Sequence, residues 1–270
     1  MITDFSLFLF STDAAFIRSA AAAGVDGIVV DWEWRGKHTR QNGADTEINR
    51  DTADDLRRVR EATDGWVICR VNGYDPAITP GEVEQAIEAG ANEILLPMVR
   101  SQQEVRRVLD LCGLRAEVGI LIETVSAAEN AASFAELPLS RIYVGLNDLN
   151  IERRTPNLFT PLVDGTLDRV CGAARLPRGF GGLTLPDRGS PIPCRLLIGE
   201  MMRLNCSFSF LRRSFKADVG EQDLRWAVPR IREAIVRSAA RSPAEIVRER
   251  AELVAAVESW TLGPEFEKRL

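Results

Sequence analysis

The chain is poor in the side chains that bind zinc or form disulfides. It has a single histidine, His38, and five widely spaced cysteines that never form a C-x-x-C pair. Structural zinc sites need clustered cysteines and histidines, and disulfide frameworks need cysteines in pairs, so neither is indicated. We expect all five cysteines to be small core residues, and a reducing cytoplasm is the simplest setting for them. They are Cys69, Cys112, Cys171, Cys194 and Cys206.

Long apolar runs and an excess of basic charge are also missing. Nowhere do about 18 consecutive apolar residues occur, as a membrane-spanning helix requires, and the stretch from Met1 to Ser11 has no basic leader. The 34 basic and 39 acidic residues are well mixed and give a net charge of -5. This balance argues against a nucleic-acid or membrane partner. We therefore expect a soluble, untargeted cytoplasmic protein whose partner is a small molecule.

What the sequence does contain is a regular alternation of strand and helix patterns. Strand patterns lie at 5–10, 27–33, 66–72, 93–99, 118–122, 143–144, 179–185 and 206–210. Helix patterns follow them at 14–23, 51–62, 80–89, 101–111, 162–174, 194–204 and 221–239, with a further helix between the fifth and sixth strands. Eight alternations in a chain of 270 residues predict a (β/α)8 TIM barrel rather than an open doubly wound sheet.

A last amphipathic segment lies beyond the eighth unit. We predict a barrel over residues 1–240 and a C-terminal helical extension over 241–270. The apolar positions of the extension could cover the barrel floor or pack on another subunit. These positions are Ile246, Val247, Leu253, Val254 and Val257.

Two acidic residues stand where predicted strands end. Glu123 follows the apolar run 118–122, and Asp148 follows the run at 143–144 by a few residues. Both runs suit parallel strands covered by helices on each face, where an acidic side chain is poorly tolerated without a compensating charge. Two unrelated acids in caps or salt bridges would not explain this joint placement. The pattern therefore favours a divalent metal ion held by Glu123 and Asp148.

Other polar residues also end strand patterns. In α/β barrels the carboxyl ends of the strands form the active-site cup, so these residues should converge there. They are Asp31, Glu33, Arg70, Asn72 and Asn147, with one of Arg212 and Arg213. Oxygen ligands favour Mg²⁺ or Mn²⁺ over zinc. Such a metal would polarise a carbonyl group, while Arg70 would bind a carboxylate or the developing negative charge.

Five short motifs along the chain resemble one known family. They are V-D-W-E at 30–33, R-V-N at 70–72, G-A-N-E-I-L-L-P at 90–97, L-I-E-T at 121–124 and G-L-N-D-L at 145–149. In this order they resemble the HpcH/HpaI aldolase and citrate lyase β-subunit family of the phosphoenolpyruvate-binding barrel superfamily. The resemblance implies Glu123 and Asp148 as metal ligands and Arg70 as the substrate-binding arginine. It also implies a pyruvate-like or oxaloacetate-like enolate, reversible carbon–carbon cleavage, and a homo-oligomer, trimeric or hexameric.

One position departs from the family pattern. The histidine or aspartate that the family places directly after the glutamate of the second strand is Trp34 here, and His38 follows four residues later. We assign proton transfer to His38 or to a metal-bound water, and Glu33 to the catalytic set together with Arg70. The cationic loop residues Lys37 and Arg40 are predicted to contact substrate, as are Asn72 and Asn147.

The resulting hypothesis is a metal-dependent carbon–carbon lyase or aldolase. Its substrate would be a 2-oxo acid or a phosphorylated or thioester relative. Phosphoenolpyruvate-type chemistry or hydrolysis of an acyl thioester would be compatible with the same cup. A third alternative is a barrel that binds a ligand without turnover and serves a biosynthetic partner. The missing family histidine favours this third alternative, whereas Glu123, Asp148 and Arg70 oppose it.

Overall fold

A computed structural model describes residues 5–36, 51–155, 157–220 and 223–261 of the chain. Within these ranges the backbone forms nine short parallel strands. They are β1 (Ser6–Phe10), β2 (Gly27–Asp31), β3 (Trp66–Arg70), β4 (Glu93–Leu96), β5 (Glu117–Ile122), β6 (Arg141–Val144), β7 (Arg178–Phe180), β8 (Gly182–Leu183) and β9 (Phe208–Leu211).

The strands curl into a nearly closed barrel. Strands β1 to β7 lie side by side in sequence order, and β9 pairs with β1 on one side and β8 on the other. Only Gly181 separates β7 from β8, and its φ of +56° is a left-handed conformation that favours glycine. The predicted seventh strand is therefore split: its first segment pairs with β6 and its second with β9. The predicted α/β barrel is confirmed.

Helices connect the strands, as the alternating pattern predicted. They are α1 (Ala14–Ala22), α2 (Ala53–Ala62), α3 (Thr79–Glu88), α4 (Gln102–Cys112), α5 (Val125–Glu129), α6 (Ala131–Phe134), α7 (Leu146–Arg153), α8 (Thr166–Ala173), α9 (Cys194–Arg203), α10 (Phe215–Val219), α11 (Leu224–Ala239) and α12 (Pro243–Thr261), with a 3-10 turn at Thr160–Leu162. The sequence pattern did not predict α7 and α10. Both follow strand ends directly, and α7 carries Asp148 in its first turn.

Local capping explains where two of these helices begin. The Ser101 hydroxyl accepts from the Glu104 amide at 3.4 Å, but the Glu104 carboxylate turns to the Arg100 amide. The sequence S-x-x-E at 101–104 is typical of a capping box, but here the box is only half formed. At α2 a complete capping box joins Thr52 and Asp55, and each side chain accepts from the other residue's amide.

An apolar layer fills the middle of the barrel. Because side chains alternate along a strand, every second residue points inward. The buried interior cluster consists of Phe8, Val29, Ile68, Leu95, Leu121, Tyr143, Phe208 and Phe210. This layer separates the two ends of the barrel.

A buried ion pair closes the amino-terminal end. Arg141 Nη2 lies 2.8 Å from Glu93 Oε2, and the indole of Trp66 donates to the same oxygen at 2.8 Å. The Arg141 guanidinium also lies over the rings of Phe8 and Phe208, 4.4 and 5.0 Å from their centroids. All three polar residues begin their strands. The opposite end, where the strands finish, is therefore the end that can open to a ligand.

The C-terminal helix α12 packs on its own barrel against α9. Leu253 and Val257 are buried there, and Arg250 pairs with Glu200 of α9. Asn157 donates to the carbonyl of Val257 at 2.9 Å. The extension thus covers the outer face of the barrel helix α9. The sequence did not identify this helix as its packing partner.

In the part of the chain that the structure describes, no helix combines the length and apolar character required to cross a membrane.

Candidate active site

Asp31 anchors two arginines at the carboxyl end of the barrel. Arg70 donates from Nε to Asp31 Oδ1 at 2.8 Å and from Nη2 to Oδ2 at 2.7 Å, a bidentate pair. Arg213 donates to the same Oδ2 at 2.9 Å. Asp31 is fully buried, and both guanidinium groups lie over the ring of Phe10, 5.2 and 6.0 Å from its centroid. This arrangement holds two positive charges beside one another at the barrel mouth.

Glu33 adds a second carboxylate to Arg70. Its Oε2 lies 3.4 Å from Arg70 Nη1, and its backbone amide donates to Asp31 Oδ1 at 3.2 Å. Burial alone would lower the pKa of Arg70, but the carboxylates of Asp31 and Glu33 raise it above its ordinary value. Arg70 is therefore a cation held by two buried carboxylates.

Glu123 directly follows β5 and lies in a crowded acidic environment. Burial raises the pKa of Glu123 well above its ordinary value, and Glu33 and Asp148 raise it further, while Arg70 opposes them. The backbone amide of Met98 donates to Glu123 Oε2 at 3.2 Å. Met98 adopts a left-handed φ of +55°, which is uncommon for a residue with a side chain. A positive charge placed beside Glu123 would therefore stabilise its ionised form.

Asp148 reaches the same region from helix α7. That helix begins directly after β6, with Gly145 as its N-cap, and Asp148 is its third residue. The Asp148 side chain is buried, and its charge acts on Glu123. Two predicted metal ligands from different units thus converge, as the strand-end pattern predicted.

A cavity of about 710 Å³ opens at this end of the barrel. Of the predicted site residues, Arg70, Glu123, Asn147 and Asp148 line it, and both Arg212 and Arg213 border it. Of the two, Arg213 pairs with Asp31 at the barrel mouth, whereas Arg212 pairs with Asp218. They enter from the end of β9, where the backbone turns into α10.

The predicted substrate contact Asn72 has other partners in the structure. Its Oδ1 accepts from the amides of Trp34 and Arg35 at 3.0 and 2.9 Å, and its Nδ2 donates to Glu82 at 2.6 Å. These bonds tie the loop after β2 to β3 and α3. Asn72 does not line the cavity.

The loop after β2 carries the remaining predictions. Trp34 is 44% exposed, and the guanidinium of Arg35 lies 5.4 Å from the centre of its indole. Lys37, His38 and Arg40, predicted to bind substrate or move a proton, lie outside the described residues. Their roles stay predictions.

Comparison with known proteins gives this site a context. A model of the HpcH/HpaI aldolase/citrate lyase family matches residues 4–174, which is more than half of the chain. The chain belongs to the HpcH/HpaI aldolase/citrate lyase family. The match includes Arg70, Glu123 and Asp148 but ends before β7. No curated protein matches the sequence.

Solved structures confirm the barrel and show no more than that. A tryptophan synthase from M. tuberculosis, in an open form with BRD0059 bound, is similar at 14% identity and a TM-score of 0.59. The alignment covers 87% of this chain and 94% of that chain. An aminoacrylate-bound form of tryptophan synthase from M. tuberculosis is similar at 15% identity and a TM-score of 0.54, over 87% of this chain and 93% of that one. At these identities the similarity shows the fold alone.

The donors present suit a hard divalent cation. Among the described residues no group of three or more acidic, histidine or cysteine side chains is arranged to hold a metal ion. Mg²⁺, however, is commonly bound through one or two protein carboxylates, with water and substrate oxygens completing its coordination. Glu123 and Asp148 both line the cavity, and the charge of Asp148 helps to raise the pKa of Glu123. These residues therefore fit Mg²⁺ or Mn²⁺ better than zinc.

Two aromatic residues of the site were missed by sequence reasoning. Phe10 ends β1 beneath both arginines, and Tyr143 lines the cavity from β6. Burial raises the pKa of Tyr143, so its phenol stays protonated. The signal was available in the alternation of inward positions: Phe10 lies two residues after Phe8, and Tyr143 lies two residues before Gly145.

Proposed function

We propose that this family member is a metal-dependent carbon–carbon lyase or aldolase acting on a 2-oxo acid or its phosphorylated or thioester relative. The observation that carries the proposal is the convergence of Glu123, Asp148 and Arg70 on one cavity. An enolate formed from a 2-oxo acid needs positive charge at two oxygens. A metal held by the two carboxylates and the guanidinium of Arg70 would supply it.

The charges of the described cup support a divalent cation. Four buried carboxylates lie at this end of the barrel; Arg70 pairs with two of them, Asp31 and Glu33, and Arg213 also pairs with Asp31. The four are Asp31, Glu33, Glu123 and Asp148. Like charges held close together in a buried site are costly unless a cation compensates them. A Mg²⁺ ion beside Glu123 and Asp148 would stabilise the ionised form of both carboxylates.

The chain's own residues supply orientation and charge in the proposed reaction. A bound Mg²⁺ would polarise the 2-oxo group and favour the enolate over the keto form. Arg70, fixed by Asp31 and Glu33, faces the cavity and would bind the substrate carboxylate. The Tyr143 phenol remains a neutral hydrogen-bond donor at the cavity wall. Proton transfer would be carried out by His38 or by a metal-bound water, as the sequence predicts.

Calorimetric titration tests the metal site directly. Mg²⁺ and Mn²⁺ are titrated with pyruvate, oxaloacetate or oxalate into the intact protein and into Asp148→Ala. Metal-dependent oxalate binding that is lost in the variant supports the proposal. Asp110→Ala is the matched control, because Asp110 is exposed on α4. Absence of oxalate binding to the intact protein with either metal would overturn the proposal.

Turnover separates an enzyme from a ligand-binding barrel. Oxaloacetate decarboxylation is a convenient assay, since it passes through the same enolate. A Mg²⁺-dependent rate that is lost in Glu123→Ala supports catalysis by this site. Tight oxalate binding without any rate would instead show that the cup binds its ligand without turnover.

A further inference from the structure

The cavity is lined by charged and by apolar side chains that come mostly from different elements, and we call these two parts of the lining the charged half and the apolar half. The charged half contains Arg70, Glu123 and Asp148, from the ends of β3 and β5 and the start of α7. The other half lies towards β8, β9 and the segments that follow β6 and β8. Its lining is Leu158, Phe159, Ile192, Leu197, Leu211 and Ala217.

We propose that the substrate carries a hydrocarbon portion, an alkyl chain or an aromatic ring, that binds in this apolar half. This inference rests on the proposed function, because it takes the enolate-forming head group to lie at Arg70, Glu123 and Asp148. It specifies the substrate class as a 2-oxo acid, or the aldol or acyl compound derived from it, with an uncharged apolar end.

The size of the cavity supports a substrate larger than pyruvate or oxaloacetate. Its volume of about 710 Å³ lies within the range of roughly 300–1,000 Å³ typical of pockets that bury drug-sized ligands. A head group of three or four carbons would leave the apolar half occupied by water. Leu158 and Phe159 are only partly buried, and Ala217 is exposed. Covering them with hydrocarbon would remove apolar surface from water.

The guanidinium group of Arg212, which borders the apolar half, is already paired with a carboxylate. Arg212 donates from Nη2 and Nε to Asp218 Oδ2 at 2.8 and 3.1 Å. Asp218 also accepts from the hydroxyl of Thr184 at 2.6 Å. A distal phosphate or second carboxylate would have to compete with Asp218 for this guanidinium. The pairing therefore favours an uncharged end over a phosphorylated one.

Gly181 and Gly182 line the cavity at the break between β7 and β8. A Cβ atom at Gly181 would meet only Leu146, at 3.6 Å, whereas one at Gly182 would come within 2.7 Å of the Arg212 Cβ. Gly181 therefore leaves the cavity wall open at this point. The family match ends at residue 174, so most of the apolar half lies beyond it. The family resemblance thus concerns the head-group chemistry, whereas this inference comes from the cavity.

A chain-length series tests the inference on the intact protein. Affinities are measured by calorimetry with Mg²⁺ for pyruvate, 2-oxobutyrate, 2-oxohexanoate and 2-oxooctanoate, and for oxalate and octanoate. Each buried methylene should tighten 2-oxo acid binding by about fourfold until the apolar half is full. Ala217→Phe, which fills this half from an exposed helix position, should weaken 2-oxooctanoate binding at least tenfold and leave oxalate unchanged. Ala251→Phe, exposed on α12, is the matched control.

The outcomes separate this inference from the proposed function. Equal affinity for pyruvate and 2-oxooctanoate would overturn the apolar site, as would an equal loss of affinity for both ligands in Ala217→Phe. Metal-dependent oxalate binding would still support the lyase in either case. Suppose that oxalate and pyruvate fail to bind, whereas octanoate binds the intact protein and its affinity is lost in Ala217→Phe. The apolar site then stands and the proposed function fails. If no ligand binds, both are overturned.

Discussion

The carboxylate arm of Glu123 lies directly against the Cα of Gly145. A methyl group on Gly145 would come within 2.6 Å of Glu123 Cγ and 2.9 Å of its Cδ. Such distances are well below van der Waals contact. The absence of a side chain at the N-cap of α7 is therefore what allows Glu123 to lie beside the helix that carries Asp148.

Gly145→Ala should displace Glu123 without unfolding the barrel. The backbone of Gly145 has a φ of -83°, which alanine adopts readily, so the steric conflict with Glu123 is the main cost, about 1–3 kcal/mol. We expect at least a tenfold loss of metal-dependent oxalate affinity, measured by calorimetry. Gly172→Ala is the control, because nothing lies within 4 Å of a Cβ there; it should keep oxalate binding and raise stability by about 0.5–1 kcal/mol. Normal oxalate affinity in Gly145→Ala would contradict this account.

Asp31→Asn should lower the free energy of unfolding as well as the affinity for substrate. The change removes the shared anion of Arg70 and Arg213, and breaking a buried pair of this kind typically costs about 3–5 kcal/mol. Urea unfolding at pH 7 measures the loss. Asp54→Asn is the control, because Asp54 is 79% exposed in its pair with Arg57 and should contribute less than about 1 kcal/mol. Similar losses in the two variants would show that Asp31 does not anchor the arginines.

Glu123→Gln should stabilise the metal-free protein by about 1 kcal/mol or more. The change removes a buried carboxylate that lies close to Glu33 and Asp148, and such sites often trade stability for function. In the wild type, Mg²⁺ at 100 times its Kd should add about 2.7 kcal/mol, whereas the variant should gain nothing. Thermal unfolding with EDTA and with Mg²⁺ checks both statements. A less stable variant in EDTA would mean that the attraction between Glu123 and Arg70 outweighs the burial of charge and the repulsion from Glu33 and Asp148.

Asp218→Asn should lower stability at neutral pH and lose that effect in acid. Burial alone would raise the pKa of Asp218, but hydrogen bonds from Thr184 and Arg212 hold it below its ordinary value of 3.8. The ionised form therefore stabilises the folded protein above pH 3.8, and this contribution disappears as the pH falls through the lower folded-state pKa. We expect a deficit of roughly 1–2 kcal/mol at pH 7 that narrows below pH 3.8. Urea unfolding at several pH values measures it.

A control and a contrary result complete the Asp218 experiment. Asp187→Asn alters an exposed pair with Arg230 at 3.6 Å and should change stability by less than about 0.5 kcal/mol at every pH. If the Asp218→Asn deficit were the same at pH 2 as at pH 7, the charge of Asp218 would not be its source.

Leu253→Ala should lower the free energy of unfolding more than a substitution on the exposed face of the C-terminal helix. Leu253 is buried between α12 and the barrel, and such truncations cost about 2–5 kcal/mol. Val247→Ala on the same helix is the control, because Val247 is 70% exposed; it should be nearly neutral. Equal effects in urea unfolding would contradict the packing of α12 on α9. The homo-oligomer stays a prediction, which size measurement before and after removal of residues 243–270 would test.

The sequence was most informative where one pattern had one structural solution. Eight strand–helix alternations could form a closed parallel barrel, and acids at the ends of buried strands had to meet at its carboxyl edge. Glu123, Asp148 and Arg70 were therefore predicted together. The split at Gly181 was not predicted, because periodicity does not show where a short strand changes its pairing partner.

Asn72 shows the limit of strand-end reasoning. It ends a strand pattern as Arg70 does, yet its amide holds the loop after β2. Position along a strand tells which end of the barrel a residue reaches. It does not tell whether the side chain will point into the cavity or accept hydrogen bonds from backbone amides of a neighbouring loop.

By itself the sequence determined the barrel, the acidic strand ends and the arginine that faces them, because each depends on local periodicity and on the cost of burying charge. Only the tertiary structure decided that Asp31 is shared by Arg70 and Arg213, that Gly145 makes room for Glu123, and that half of the cavity is apolar. These features join residues far apart in the chain, and their contacts depend on how the elements pack rather than on any local pattern.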